Sequence, residues 1–101
     1  MQLDISQLEA NAGQAEGFLK LLANRNRLMI LCALMDSELS VGELNQRVPL
    51  SQSALSQHLA SLRAAKAVAT RRESQTIYYR LADDRVGQLL TALYPIFCKA
   101  A

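Results

Sequence analysis

The sequence is short of several residue types, and each shortage excludes a class of protein. Its two cysteines, Cys32 and Cys98, are too few and too far apart for the disulfide framework of a small secreted domain. It has no Cys-x-x-Cys and no convergent set of acid, base and nucleophile, which argues against a thiol oxidoreductase and against enzymes generally. One histidine, His58, beside two cysteines would supply a four-ligand zinc site poorly. No apolar run approaches membrane-spanning length, and no charged leader with a small-residue cleavage site opens the chain. The expected location is therefore the cytoplasm, with no membrane partner. Repeats and low-complexity linkers are missing too, so 101 residues, half of them apolar, read as one domain.

One absence is local. Between Leu44 and Arg72 there is no Asp or Glu, although the stretch carries Arg47, Arg63, Lys66, Arg71 and Arg72. The whole chain has a net charge of only +2, so this is a matter of distribution rather than total. Such an asymmetry is an electrostatic footprint for a phosphate backbone.

Periodicity supplies the elements. Ile5, Leu8, Ala12, Ala15, Leu19 and Leu22 form a narrow a/d stripe, better suited to packing on another helix than to filling a small core. Asn24 can cap a second helix whose apolar face takes Leu28, Leu31, Cys32 and Met35, widened by Ile30 and Leu34, with Asp36-Ser37-Glu38 ending it. Ser40 and Glu43 fit a capping box opening a short helix to about Arg47. After the Val48-Pro49-Leu50 turn, Ser51 caps a helix with Leu55, Leu59 and Leu62 inside, and Leu50 and Leu55 are placed as a hydrophobic staple. Val68 to Glu73 and Thr76 to Leu81 alternate like strands around Ser74-Gln75 and predict a hairpin. Asp83 can cap a last helix carrying Val86, Leu89, Leu90, Leu93, Ile96 and Phe97.

The order is helix, helix, helix-turn-helix, hairpin, helix. The expected fold is mainly α with a small β-hairpin, a winged helix-turn-helix acting as a homodimer through its terminal helices. The recognition helix is expected over about 51–65, the wing over about 67–82, and the dimerisation helices over about 4–22 and 83–99.

Gln52, Ser53, Ser56 and Gln57 fall on the outer face of the recognition helix, together with Arg63. Gln can bind adenine through two hydrogen bonds and Ser can serve base edges or phosphate, which suits readout of double-stranded DNA. A merely solvated face is the plain alternative, but such a face usually carries Glu and Lys. His58 lies beside the buried stripe, where a positioning role is as good a reading as a base contact. Arg71, Arg72 and Gln75 sit at or near the wing tip, where Arg suits phosphate or the minor groove and solubility is the plain alternative.

The runs ANRNRLMILCAL, ELSVGEL, LSQSALSQHLASLR and TRRESQTIYYRL resemble the ArsR/SmtB family of dimeric bacterial repressors over nearly the whole chain. With a cysteine in the second helix and another near the end of the last, the resemblance is to the dithiol BigR/SqrR/YgaV/HlyU-like subgroup. It implies a repressor that binds an inverted-repeat operator and releases it when Cys32 and Cys98 are modified by reactive sulfur or oxidants, with no cofactor. The positions of the arsenic-binding cysteines of relatives are Ser40 and Gly42 here, and the last helix starts with Asp83 and Asp84 but holds no histidine, so both metal sites of the wider family look absent. Lys66 stands where relatives commonly have Gly after the recognition helix.

Each cysteine taken alone could be an ordinary core residue, since free Cys is among the most buried types. Cys32 is expected mid-helix on the core side and Cys98 in the last turn of the final helix. Pro95 should kink that helix by removing a hydrogen bond to Thr91, or else the helix simply ends near Tyr94. Alternatives left open are an anti-repressor or activator of the same fold, a metal- or heme-responsive repressor, and an interaction module without DNA binding.

Overall fold

The computed structural model describes residues 2–98. Five helices and three short strands run in the order α1 (Ile5–Leu22), α2 (Arg25–Ala33), β1 (Leu39–Ser40), α3 (Val41–Arg47), α4 (Gln52–Ala64), β2 (Val68–Glu73), β3 (Thr76–Leu81) and α5 (Asp84–Phe97). Local chemistry starts each helix. The Asp4 side chain accepts from the amide of Gln7, Asn24 accepts from Asn26 and Arg27, and Ser51 accepts from Ala54, each satisfying amides that lack an intrahelical partner. At α3 the capping box is complete, with Ser40 Oγ accepting from Glu43 N at 3.2 Å and Glu43 Oε1 accepting from Ser40 N at 2.9 Å. Those contacts hold the Glu43 carboxyl below its usual range.

The end of α4 is equally specific. The amide of Lys66 donates to the carbonyl of Arg63, and the amide of Ala67 donates to that of Leu62, both at 2.9 Å. This closure needs a left-handed residue between them, and Lys66 supplies it with φ of 63°. Ala67 and Leu62 are both buried beneath it, as such a cap prefers.

Fourteen buried apolar residues among those described form one core, gathered from every helix, from β1 and β2, and from the links after α2, α3 and α4. Leu44, Leu55, Leu59, Leu62 and Val86 at its centre are at most 1% exposed. No polar or charged side chain is buried among the described residues. α3 and α4 make the helix-turn-helix, its turn held by Asn45 Nδ2 donating to the Leu50 carbonyl at 2.8 Å. β2 and β3 make the wing.

The structure departs from expectation at several places. The hairpin is part of a three-stranded antiparallel sheet in the order β1-β3-β2, because Leu39 and Ser40 pair with Tyr79 and Tyr78. Two residues carry no readable alternation, and Ser40 reads first as a helix cap. α2 stops at Ala33, earlier than Asp36, and buries Ile30 and Leu31, with its cap residue Leu34 buried behind them, while Met35 is 36% exposed. Its inward face is thus rotated, and Cys32 is exposed in the single chain rather than on the core side. α5 continues past Pro95 to Phe97, and Cys98 forms the cap in extended conformation, with φ of −121° and ψ of 136°, instead of the last helical turn. The 83–99 helix expected at the end runs one residue beyond the described chain.

Candidate DNA-binding face and thiol pocket

Once Leu55, Leu59 and Leu62 fix the inward side of α4, its opposite side is determined by the helical period. Gln52, Ser53, Ser56, Gln57, Ala60 and Arg63 are all exposed there. None of these polar side chains makes a hydrogen bond among the described residues, so their donors and acceptors are available to a ligand. His58 is half-buried beside the leucine stripe, which fits a positioning role. Ser51 is different, since its hydroxyl is taken by the cap.

The wing separates two arginines that sequence treats as one pair. Adjacent strand residues point to opposite faces. Val68, Thr70 and Arg72 share a face with their partners Leu81, Tyr79 and Ile77, and Val68, Tyr79 and Leu81 belong to or pack on the core. Arg71 therefore lies on the outer face, opposite Tyr78. There its guanidinium sits 4.8 Å from the Tyr78 ring centre and meets Glu38 and Glu73, each at 2.7 Å. The arginine beside Glu38 holds that carboxyl below its usual range, first through the hydrogen bond itself. Among the described residues Arg72 has no such partner and donates only to the carbonyl of Ser74 at 3.1 Å, folding against the turn. In that turn Ser74 has φ of 58°, and it alone of the two loop residues is positive, as in a type II′ turn. Gln75 is exposed at the tip. The stretch without acid in sequence is thus not without acid in space, because Glu73 follows it directly and Glu38 reaches in from the α2–β1 link.

The thiols occupy the other end of the molecule. An apolar cavity of about 490 Å³ opens between the end of α1, α2 and the second half of α5. Both Cys32 and Cys98 line it, together with Leu19, Leu28, Leu93, Tyr94 and Phe97. Apolar surroundings push the Cys32 thiol above its ordinary range, and the negative charge of a Cys98 thiolate adds to the effect. Among the described residues no three His, Cys, Asp or Glu side chains gather to hold a metal ion. No described helix is long and apolar enough to cross a membrane.

The chain as a whole has counterparts in known proteins. The profile described as "Bacterial regulatory protein, arsR family" matches residues 24–68, which span α2 to the start of the wing. The transcriptional activator HlyU of Vibrio cholerae is 48% identical over 98 residues, covering 97% of this chain and 91% of its own. The chain belongs to the ArsR/SmtB family. A biofilm growth-associated repressor of Agrobacterium fabrum is 44% identical over 97 residues, covering 96% of this chain and 83% of its own. Among solved structures, the transcriptional repressor BigR of Xylella fastidiosa superimposes with a TM-score of 0.91 at 41% identity, covering 97% of this chain and all of the other. As a member of this ArsR/SmtB family the protein is a DNA-binding transcriptional regulator, with α3–α4 as its helix-turn-helix and β2–β3 as its wing.

Two acidic residues beside Arg71, Glu38 and Glu73, were not foreseen from the sequence. The signal for one of them lies in alternation. Arg71 and Glu73 are two apart on one strand and so share a face, whereas Glu38 comes from a distant segment that no local pattern points to.

Proposed function

We propose that the protein is a homodimeric repressor that holds an inverted-repeat operator while Cys32 and Cys98 are free thiols and releases it once they are modified. The observation that carries this reading is the shared cavity, which places both thiols between the helix that leads into the DNA-binding half and the last helix. The protein acts by binding rather than by catalysis. Gln52, Ser53, Ser56 and Gln57 address base edges, while Arg63, Arg72 and Gln75 address phosphates or the minor groove.

The chemistry needs only thiolate and a suitable electrophile. A thiolate attacks a sulfane sulfur and expels hydrosulfide or a shorter polysulfide. The second thiolate then displaces hydrosulfide from the resulting persulfide, or from a longer sulfur chain, and closes a bridge. With a peroxide, the first thiolate becomes a sulfenic acid and the second expels water. A bridge ties the end of α2 to the end of α5. Exposed Leu8 and Leu19 on α1, and Tyr94, Ile96 and Phe97 on α5, form the surface that a second copy would cover. Dragging α5 therefore shifts one recognition helix against its mate, and a dimer must match half-sites about 34 Å apart.

The relative named an activator favours a second reading of the outcome, not of the act. Occupying an operator silences a promoter when it excludes polymerase and activates it when it excludes a silencing protein, and a reporter fused to the target promoter separates the two. The switch itself is tested with a Cys32→Ser, Cys98→Ser double variant. DNA binding that survives polysulfide and peroxide in the variant but not in the parent supports the reading, and release by both proteins refutes it.

A further inference from the structure

The wing offers two neighbouring arginines but presents them to very different surroundings. Arg71 Nε donates to Glu38 Oε1 at 2.9 Å, Nη2 lies 2.7 Å from the same oxygen, and Nη1 donates to Glu73 Oε2 at 2.7 Å. One face of the guanidinium lies over Tyr78. Three nitrogens are therefore engaged, and the carboxylates of Glu38 and Glu73 together outweigh the charge of Arg71. Arg80, two residues from Tyr78 on the same strand face, is close enough to lower the Glu38 carboxyl further. Arg72, by contrast, meets no carboxylate among the described residues.

This difference bears on DNA because affinity for any duplex rises with each phosphate a cation neutralises, by about 0.9 in the logarithmic salt slope. A guanidinium held by two carboxylates must lose them before it can bind a phosphate, and the carboxylates themselves repel the backbone. Such a cation strengthens operator and random DNA little. Withholding it limits the term that does not distinguish sequences, leaving more of the affinity to base contacts from α4.

We propose that Glu38 is a specificity-setting residue: with Glu73 it withholds Arg71 from the phosphate backbone, so of the two adjacent arginines of β2 only Arg72 contributes a cationic contact. The proposal rests on the reading that the wing faces DNA. Glu38 is suited to this role because it comes from the link between α2 and β1, which joins the sheet through Leu39 and Ser40. The clamp is thus anchored outside the hairpin it restrains.

The test measures binding of a random-sequence duplex across a salt series by fluorescence anisotropy. For Glu38→Gln, which leaves Arg71 only its single contact with the exposed Glu73, we expect tighter binding by up to about fivefold at 0.15 M salt and a slope steeper by up to about one unit, the contribution of one added phosphate contact. Arg71→Gln should leave the parent slope unchanged, Arg72→Gln should reduce it by about one, and the Glu38→Gln, Arg71→Gln double variant should lose the gain. Glu73→Gln, on the exposed tip, repeats the test should Glu38→Gln fold poorly. A slope for Arg72→Gln unchanged from the parent overturns the wing reading. A reduced slope there beside an unchanged one for both Glu variants, or a gain that persists without Arg71, overturns this inference alone.

Discussion

The two ends of the molecule are built to different degrees of completion. Around α3, α4 and the wing, helix ends are capped by Ser40, Glu43, Ser51 and the Lys66 turn, and Leu44, Leu55 and Leu62 are fully buried. Around α1 and the second half of α5, the large apolar side chains face outward. Leu3, Ile5, Leu8, Leu19, Tyr94, Ile96 and Phe97 are between 52% and 80% exposed, and the thiol cavity opens among them. A contiguous apolar surface of that kind marks a place where another surface belongs. The DNA-reading half is finished within one chain, whereas the thiol-bearing half leaves large apolar side chains uncovered and is, in that chain, unfinished. Under the proposed function, two thiols in the unfinished half would give a small chemical change influence over assembly without disturbing the part that reads DNA.

The largest expected effect tests that division directly. Leu55→Ala should cost about 2–5 kcal/mol, a large part of the roughly 5–15 kcal/mol that holds a domain of this size together. The same loss should appear at every protein concentration. Phe97→Asp, at an 80% exposed position, should hardly alter the fold of a single chain but should remove association. Thermal unfolding at two concentrations about a hundredfold apart separates the two, because assembly makes the midpoint depend on concentration. Parent protein whose midpoint ignores concentration would dissolve the contrast.

How much of this was legible depends on the range of each signal. The capping box at Ser40 and Glu43, the Ser51 cap, the leucine stripe of α4 and the alternation of the wing are encoded within a few residues, and all are present in the structure. β1 was not legible, because Leu39 and Ser40 become a strand only by pairing with Tyr79 and Tyr78 far along the chain. The clamp on Arg71 has the same character, with Glu38 separated from it by 33 positions. Cys32 was misplaced because an apolar face can be rotated by one position without changing its periodicity. Its neighbours Ile30 and Leu31 took the core, leaving the thiol to the cavity. That Cys32 and Cys98 share one cavity was suggested by family resemblance alone, since nothing in their spacing brings them together.

A smaller effect concerns the chemistry of the unfinished half. The thiol of Cys32 is raised first by its apolar surroundings and second by Cys98, so less thiolate is present at neutral pH than an ordinary cysteine provides. Alkylation of Cys32 by iodoacetamide should accelerate with pH and reach half its maximal rate above the ~8.5 of a free thiol. Cys98→Ser should lower that midpoint only part of the way, because the apolar lining of the cavity is the larger cause. The sign for stability is the same, since a thiol favoured in its neutral form stabilises the fold below its unfolded pKa and loses that contribution as pH rises through the folded one. A midpoint at or below the free-thiol value would mean the cavity does not shelter Cys32, and would join the two halves in character.

The smallest effect returns to the finished half, where one position departs from the best choice. Lys66 occupies the left-handed turn after α4 with φ of 63°, a conformation that glycine adopts without a Cβ penalty. Lys66→Gly should stabilise the protein by about 1 kcal/mol, or raise the midpoint by about 4–8 °C for a domain near this size. Lys66→Ala should bring no such gain, because it keeps the Cβ and loses only the charge. The salt slope of DNA binding then decides why a lysine stands there. A Gly variant that is more stable with an unchanged slope makes the residue a turn former only. If the gain in stability comes with a slope lower by about one, Lys66 meets a phosphate, and conformational strain at the end of the recognition helix is kept in exchange for that contact.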